Sequence, residues 1–144
     1  MLGGQACDVD AEQKKRQVDL EELIYIHENK TGALIEAAMT IGAVLAGADK
    51  NETGKISEVA LLVGTAFQIE DDILDVIGDE KVIGKRVGSD KKNNKTTYVT
   101  LKGIEEAKHD AREMSEKAIE LFDSIGRENE FLRSLILSMV GRTK

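Results

Sequence analysis

The sequence predicts an all-α protein, and three features of its composition lead to this prediction. Its 144 residues include no Pro, only 3% of them are aromatic, and 33% are charged. Ala, Leu, Ile, Glu and Lys, which favour helices, are common, and Gly residues separate the apolar stretches. A chain of this length buries roughly 68–70% of its unfolded surface as one domain. We therefore expect a single helical domain with an aliphatic core.

Two helices are predicted near the N-terminus. Residues 1–15 have a helical pattern, but no capping residue precedes them, as though the chain began inside a longer helix. Asp19 followed by Glu22 resembles a capping box with Asp in place of Ser or Thr. We expect a short helix from this point to about Glu28.

Further helices are predicted in the rest of the chain. An Ala- and Gly-rich helix covers 31–46, and the longest apolar helix begins at residue 54 or 57 and ends at 77. Its small residues permit close packing by neighbouring helices, so we expect it to lie centrally. A Gly-, Asn- and charge-rich segment over 78–95 is a predicted loop. Helical patterns return over 104–125 and 128–140.

Carboxylates interrupt the most apolar of these helices. Asp71 and Asp75 lie one helical turn apart, about 5–6 Å between Cβ atoms, and Asp72 lies in the same arc. Like charges at this spacing repel, and burying an unpaired carboxylate costs several kcal/mol more. A hard cation such as Mg²⁺, which prefers oxygen ligands, removes both costs. The alternative is an ordinary amphipathic helix whose aspartates face water.

The loop after this helix has a local excess of positive charge in an acidic protein. Its basic residues are Lys81, Lys85, Arg86, Lys91, Lys92 and Lys95. A diphosphate held between metal-bearing carboxylates and ammonium groups explains both charged segments, because such a site stabilises a departing anion. The alternative is a solvated loop whose lysines pair loosely with helix carboxylates.

Two shorter patterns carry weaker predictions. Lys30 and Thr31 are predicted to open a helix, where a Lys beside the N-terminal amides can contact a phosphate oxygen. An exposed Lys at a helix start is the alternative. Gln5 and Asp8 lie three residues apart on the first helix, either in one polar cluster or as a surface pair.

The remaining candidate groups do not indicate a site. His27 and His109 have no partners at metal-ligand spacing, so we interpret both as ordinary exposed residues. Cys7 cannot form an internal disulfide, and it is interpreted as a small packed side chain. With no signal-peptide pattern, we expect a cytoplasmic protein. No apolar run reaches the ~20 residues that span a bilayer, and a net charge of −7 argues against nucleic-acid binding.

Six segments together carry a family resemblance. They are Gly3-Gly4-Gln5-Ala6-Cys7-Asp8, Lys30-Thr31-Gly32, Phe67-Gln68-Ile69-Glu70-Asp71-Asp72-Ile73-Leu74-Asp75, Gly84-Lys85, Gly88-Ser89-Asp90 and Asn94-Lys95-Thr96-Thr97-Tyr98. In this order and spacing, the chain resembles a trans-isoprenyl diphosphate synthase of the bacterial farnesyl or geranylgeranyl type. The resemblance covers essentially the whole chain.

The resemblance implies a fold, a reaction and a set of metal ligands. The fold is an antiparallel helix bundle around a deep cavity, as in isoprenoid synthases, in a parent that is usually a homodimer. The enzymes join an allylic diphosphate to isopentenyl diphosphate by ionisation, condensation and elimination, and they use three Mg²⁺ ions. Asp71 would bind one Mg²⁺ directly, and Asp72 and Asp75 would hold metal through waters or as outer-sphere acceptors.

The resemblance also implies roles for polar residues around the metal. Lys30 and Lys85 would contact the allylic diphosphate, and Lys95 would also bind this group. Thr31 and Gln68 resemble residues beside the reacting centre, where they would stabilise the allylic cation or receive the departing proton. The positions that would line or brace the site are Gln5, Asp8, Asp90 and Lys95.

One family motif is absent from this sequence. The family uses two aspartate-rich motifs, and these 144 residues contain only the second, at 71–75. We therefore expect residues 1–144 to be the C-terminal half of one helical prenyltransferase domain, inactive without an N-terminal half or companion chain. The alternative is a noncatalytic helical subunit of a heteromeric synthase. A terpene cyclase-like enzyme is a second rival, but such enzymes usually carry an Asn/Ser/Glu metal motif at this position.

Overall fold

The computed structural model of the chain describes residues 1–77 and 95–140, and these residues form helices joined by short connections. The N-terminal part contains α1 (Leu2–Gln13), α2 (Leu20–His27), a π-helical turn (Glu28–Gly32), α3 (Ala33–Leu45) and α4 (Lys50–Ile77). The C-terminal part contains α5 (Tyr98–Lys102), α6 (Ile104–Asp123) and α7 (Glu130–Val140). The predicted all-α class is confirmed.

The central position predicted for the longest helix is confirmed. α4 packs most extensively against α6 and α3, and it also contacts the π-turn, α7, α5 and α2. Val59, Ala60, Ala66 and Ile69 on α4 are fully buried. α4 begins earlier than predicted because Asp49 and Glu52 form a reciprocal capping box, each side chain accepting from the other's backbone N–H at 2.8 Å.

Two apolar clusters lie along α4. One joins its C-terminal part to α1, α2, α5 and α6, and it contains Ile26, Ile69, Ile73 and Ala107. The other joins its N-terminal part to α6 and α7. The half-buried Cys7 packs against the first cluster, which agrees with the interpretation of this residue as a packed side chain.

The start of α2 lies where the sequence places it, but the predicted capping box forms only in part. The Asp19 side chain accepts from the Glu22 N–H at 2.9 Å. The Glu22 carboxylate instead accepts two hydrogen bonds from the Arg16 guanidinium, both at 2.6 Å. This pair joins the middle of the α1–α2 connection to the first turn of α2.

The predicted break between residues 28 and 31 is wrong, because helical backbone continues from Leu20 to Leu45. The break is replaced by the π-turn, in which the Ala33 N–H donates to the Glu28 carbonyl five residues earlier. Lys30 and Thr31 therefore lie inside a continuous helix and not at a helix N-terminus. The dipole argument for phosphate binding at Lys30 consequently does not hold.

Two glycines allow neighbouring helices to approach the π-turn closely. A Cβ on Gly4 of α1 would stand 2.6 Å from the Lys30 backbone nitrogen. A Cβ on Gly64 of α4 would stand 2.6 Å from the Gly32 Cα. No real Cβ makes contacts this short, so only glycine allows this packing. The π-turn is thus packed between the backbones of α1 and α4.

α3 differs from the other long helices because none of its residues is buried. Its exposed large apolar side chains include Leu34, Ile41, Val44 and Leu45, the last of which is 83% exposed. Among the described helices, none has both the length and the apolar character required to cross a membrane.

Candidate active site

A polar cavity of about 300 Å³ lies where α1, α2, the π-turn, α4 and the start of the 95–97 segment meet. Its lining residues are Asp8, Leu23, Ile26, His27, Lys30, Thr31, Gln68, Asp71, Asp72, Lys95 and Thr96. Seven of these carry charged, amide or hydroxyl groups that the sequence analysis proposed for the site. The cavity therefore collects polar groups from segments that are distant in the sequence.

α4 supplies the acidic wall of this cavity. Gln68, Asp71 and Asp72 lie at positions i, i+3 and i+4, so one helical face presents all three side chains. Asp71 and Asp72 are half-buried, whereas the aspartates of an ordinary amphipathic helix would face water. Two carboxylates and an amide oxygen on one face form a donor set of the kind that binds a hard cation.

Two of the three motif aspartates also have structural surroundings that the sequence does not indicate. The Asp72 Oδ2 accepts a hydrogen bond from the Tyr98 backbone N–H at 2.7 Å, at the first turn of α5. Asp75 is buried, with only 4% of the residue exposed, and it does not line the cavity. Asp71 and Asp72 are thus the motif carboxylates that reach the cavity.

The basic wall comes from the π-turn and from the segment before α5. The Lys30 Nζ lies 2.5 Å from the Asp8 Oδ2, and the Lys95 Nζ lies 3.3 Å from the Asp8 Oδ1. Burial by itself raises the pKa of Asp8, but the hydrogen bonds and charges of Lys30 and Lys95 outweigh it and hold the pKa below its ordinary value. Asp8 is therefore ionised at neutral pH.

The remaining residues predicted for the site have different outcomes. Thr31 lines the cavity beside Lys30. Gln5 is exposed and does not line the cavity, so its role at the site stays a prediction. Lys85 and Asp90 lie outside the described residues, so their roles stay predictions.

His27 lines the cavity but was interpreted as an exposed residue, which is wrong. It is 5% exposed, and its Nδ1 is buried with no hydrogen-bond partner among the described residues. Burial, with the nearby charge of Lys95, lowers the pKa of His27 to about 4, so the imidazole is neutral at pH 7. The spacing of Leu23, His27 and Lys30 on one helical face could have indicated this position.

His109 is exposed as predicted, but the interpretation that it has no neighbours at metal-ligand spacing is wrong. Ligand atoms of His109, Asp110 and Glu113 on α6 lie within 4.8 Å of one another. The Asp110 Oδ2, however, already accepts from the Tyr98 hydroxyl and from the Lys102 ammonium group, both at 2.8 Å. We therefore interpret this group as part of the α5–α6 packing.

A larger cavity of about 440 Å³ lies between α3, α4, α6 and α7. Its lining is mostly apolar, and its two charged residues, Glu52 and Arg127, are paired with each other at 2.6 Å. It therefore offers neither a metal-binding donor set nor unneutralised positive charge for an anion. The polar cavity is the better candidate for chemistry.

Comparison with known proteins gives matches over most of the chain. The family model for polyprenyl synthetase matches residues 1–133. The chain is 48% identical over 120 residues to farnesyl diphosphate synthase of Escherichia coli, covering 82% of this chain and 39% of that protein. It is 42% identical over 135 residues to the Bacillus subtilis farnesyl diphosphate synthase, covering 94% of this chain and 45% of that one.

Solved structures show the same fold over nearly all of the chain. Geranylgeranyl pyrophosphate synthetase from Pyrococcus horikoshii superposes with a TM-score of 0.85 at 30% identity, covering 98% of this chain and 54% of that one. Geranyltransferase from Helicobacter pylori, complexed with magnesium and isoprenyl diphosphate, gives a TM-score of 0.78 at 30% identity, covering 98% and 46%.

These matches confirm the resemblance inferred from the six sequence segments, including its fold. They also show that the chain spans less than half the length of the two curated relatives described above. Its polar cavity, its helical architecture and the match over residues 1–133 lead to one conclusion. The chain belongs to the polyprenyl synthetase family.

Proposed function

We propose that this chain supplies one half of the active site of a magnesium-dependent prenyl diphosphate synthase. The complete enzyme joins an allylic diphosphate to isopentenyl diphosphate. The observation that carries the proposal is the pairing of two walls in one cavity, with Asp71 and Asp72 on one and Lys30 and Lys95 on the other. Relatives named as farnesyl and geranylgeranyl diphosphate synthases support the same reaction.

The acidic wall fits Mg²⁺ by the chemistry of its donors. Asp71 is the proposed direct ligand, and Asp72 is proposed to bind through water because one of its oxygens is engaged by Tyr98. The buried Asp75 is proposed to act as an outer-sphere acceptor. Mg²⁺, when bound, neutralises negative charge on the diphosphate group. The complete site is proposed to hold three such ions, of which this motif contributes to one.

The basic wall is proposed to hold the diphosphate of the allylic substrate. Lys30 and Lys95 donate ammonium hydrogens to its oxygens, and Lys85 is proposed to join them. Charge-assisted hydrogen bonds of this kind strengthen as negative charge builds up on the leaving group. They therefore favour ionisation of the carbon–oxygen bond more than they favour binding of the intact substrate.

Thr31 and Gln68 are proposed to face the reacting carbon atoms. Both are half-buried and line the same cavity as the charged walls. A hydroxyl oxygen and an amide oxygen are neutral acceptors, so they stabilise developing positive charge without capturing the cation as an ester. They are also placed to pass the proton released in elimination towards the diphosphate.

We propose that the complete reaction needs a second aspartate-rich motif as a further metal-binding wall, in addition to 71–75, which is the only such motif in these 144 residues. The relatives from Escherichia coli and Bacillus subtilis are more than twice as long as the segment that matches this chain. We propose that an N-terminal half or companion chain completes the site, and that the complete protein is a cytoplasmic homodimer. A purely noncatalytic subunit is less favoured, because the relatives are named as enzymes and the charged residues of both walls are present.

A chimaeric enzyme tests this proposal. The segment of Escherichia coli farnesyl diphosphate synthase that matches this chain is replaced by residues of the chain, and incorporation of labelled isopentenyl diphosphate with geranyl diphosphate is measured. We expect Mg²⁺-dependent condensation that Asp71→Ala lowers by orders of magnitude and His109→Ala leaves unchanged. A folded chimaera with no turnover, or with equal effects of the two substitutions, contradicts the proposal.

A further inference from the structure

The buried face of α1 points at the π-turn that carries Lys30. This face consists of Gly4, Asp8 and Ala11, at positions i, i+4 and i+7. Gly4 brings the backbones of α1 and the π-turn together, and Asp8, which is 8% exposed, lies one helical turn further along. The closeness of the two backbones allows the short Asp8 side chain to reach the cavity.

Asp8 shares its two carboxylate oxygens between two lysines from different parts of the chain. The Lys30 Nζ contacts Oδ2 at 2.5 Å, and the Lys95 Nζ contacts Oδ1 at 3.3 Å. Two ammonium groups this close to one carboxylate would repel each other in its absence. The carboxylate therefore makes it favourable for both ammonium groups to occupy the same side of the cavity.

The same cavity contains other acceptors for these lysines. Asp71 and Asp72 lie on the α4 wall, and ammonium groups that turned towards them would compete with a cation for the same oxygens. Asp8 gives the lysines a partner on the α1 side. Because Asp8 is buried and held by backbone packing at Gly4, its position is set by the fold.

We propose that Asp8 is a positioning residue for diphosphate binding, which holds Lys30 and Lys95 at the basic wall of the cavity. Asp8 itself does not contact the ligand in this account. It acts through the two ammonium groups, which reach the diphosphate already oriented and lose less conformational freedom when it binds. The inference rests on the proposed function and deepens it.

The direction in which one substitution changes anion affinity distinguishes this positioning role from a simple charge effect. Asp8→Asn keeps the size of the side chain and removes its negative charge, which by charge alone strengthens the binding of an anion. Loss of positioning predicts the opposite. Binding of inorganic pyrophosphate to the purified chain in the presence of Mg²⁺ is measured by calorimetry, and we expect Asp8→Asn to weaken it about tenfold.

Asp10→Asn is the matched control. Asp10 lies on the same helix, and its ion pair with Lys14 is exposed, with 47% of the Asp10 side chain accessible. The Asp10→Asn variant loses the same charge at a residue that does not line the cavity. We therefore expect its affinity for pyrophosphate to stay within about twofold of the wild type. An Asp8→Asn affinity equal to or above that of the wild type overturns the inference. Absence of binding by the wild-type chain overturns the proposed function, and with it the inference.

A measurement on the wild type provides a test that does not depend on the folding of a variant. Hydrogen-bonded lysine ammonium groups exchange hydrogens slowly with water and become visible by ¹⁵N NMR. We expect protected signals from Lys30 and Lys95, assigned with single Lys→Arg variants, and a joint shift of both on addition of Mg²⁺ and pyrophosphate. Signals as rapidly exchanging as that of the exposed Lys14 contradict the positioning role.

Discussion

Gly64 on α4 and Gly32 in the π-turn approach so closely that a Cβ on Gly64 would stand 2.6 Å from the Gly32 Cα. The contact is between backbones, so a side chain cannot rotate out of the way. It sets the distance between the helix that carries Asp71 and the turn that carries Lys30. The separation of the two walls of the cavity therefore depends on Gly64 having no side chain.

Gly64→Ala should destabilise the protein. Overpacking at a backbone contact costs about 1–3 kcal/mol, because α4 and the π-turn must move apart. Gly54→Ala is the control in the same helix, since Gly54 is exposed and has no atoms within 4 Å of the added methyl position. The control should stabilise the protein by roughly 0.5–1 kcal/mol through helix propensity. Urea unfolding measures both, and equal signs for the two variants contradict this account.

Gly4→Ala should weaken pyrophosphate binding. The added methyl would lie 2.5 Å from the Asn29 carbonyl carbon, so α1 must move away from the π-turn and take Asp8 with it. Gly3→Ala is the neighbouring control, because its methyl meets only the hydroxyl of Tyr25, a side chain that is 46% exposed and free to adjust. Calorimetry with Mg²⁺ and pyrophosphate compares the two, and weakening by Gly3→Ala alone would contradict the proposed geometry.

His27 should make stability fall as the pH falls from 7 to 5. Its folded-state pKa of about 4 lies below the ordinary value of 6.5, so the unfolded chain binds a proton first as the pH decreases. The resulting loss between pH 7 and 5 is about 2 kcal/mol. The lowered pKa values of Asp8 and Asp110 contribute stability that is lost only below about pH 4, outside this window.

His27→Gln removes the titrating group, so the urea midpoint should change much less between pH 7 and 5 than it does in the wild type. His109→Gln is the control, because His109 is 73% exposed and its substitution should leave the wild-type pH dependence in place. The same pH dependence in all three proteins would show that His27 is not the group responsible.

Asp72→Ala should reduce stability as well as metal binding. The Asp72 carboxylate accepts from the Tyr98 N–H at 2.7 Å, so its removal leaves a helix-terminal donor of α5 without this partner. A loss of this kind costs about 1 kcal/mol. Thermal unfolding of Asp72→Ala and Asp72→Asn should show a smaller loss for Asn, whose amide oxygen can still accept. An unchanged melting temperature for Asp72→Ala would contradict the capping role.

The sequence was sufficient for the helix that carries the motif but not for the shape of the opposite wall. Gln68, Asp71 and Asp72 share a face because helical geometry alone places positions i, i+3 and i+4 together. Lys30 is predicted at the start of a helix, whereas in the structure it lies inside a continuous one. Close packing by Gly4 and Gly64 instead accompanies a continuous helix with a π-turn, and such contacts between distant segments cannot be deduced from local propensity.

The ion pairs of the site also could not be predicted from neighbouring residues in the sequence. Asp8 meets Lys95 across most of the length of the chain, and only the folded structure brings them within 3.3 Å. His27 has no partner at metal-ligand spacing in the sequence, which led to its interpretation as an exposed residue, although Leu23 and Ile26 beside it are buried. The charged residues themselves were identified from the sequence, whereas their partners required the fold.

The most direct test of the central claim is calorimetric titration of inorganic pyrophosphate into this chain, with and without Mg²⁺. We expect saturable binding that requires Mg²⁺, is abolished or strongly weakened by Asp71→Asn, and is unchanged by His109→Gln. Binding that is independent of Mg²⁺, or equally strong in the Asp71→Asn variant, would contradict a metal–diphosphate site between α4 and the π-turn.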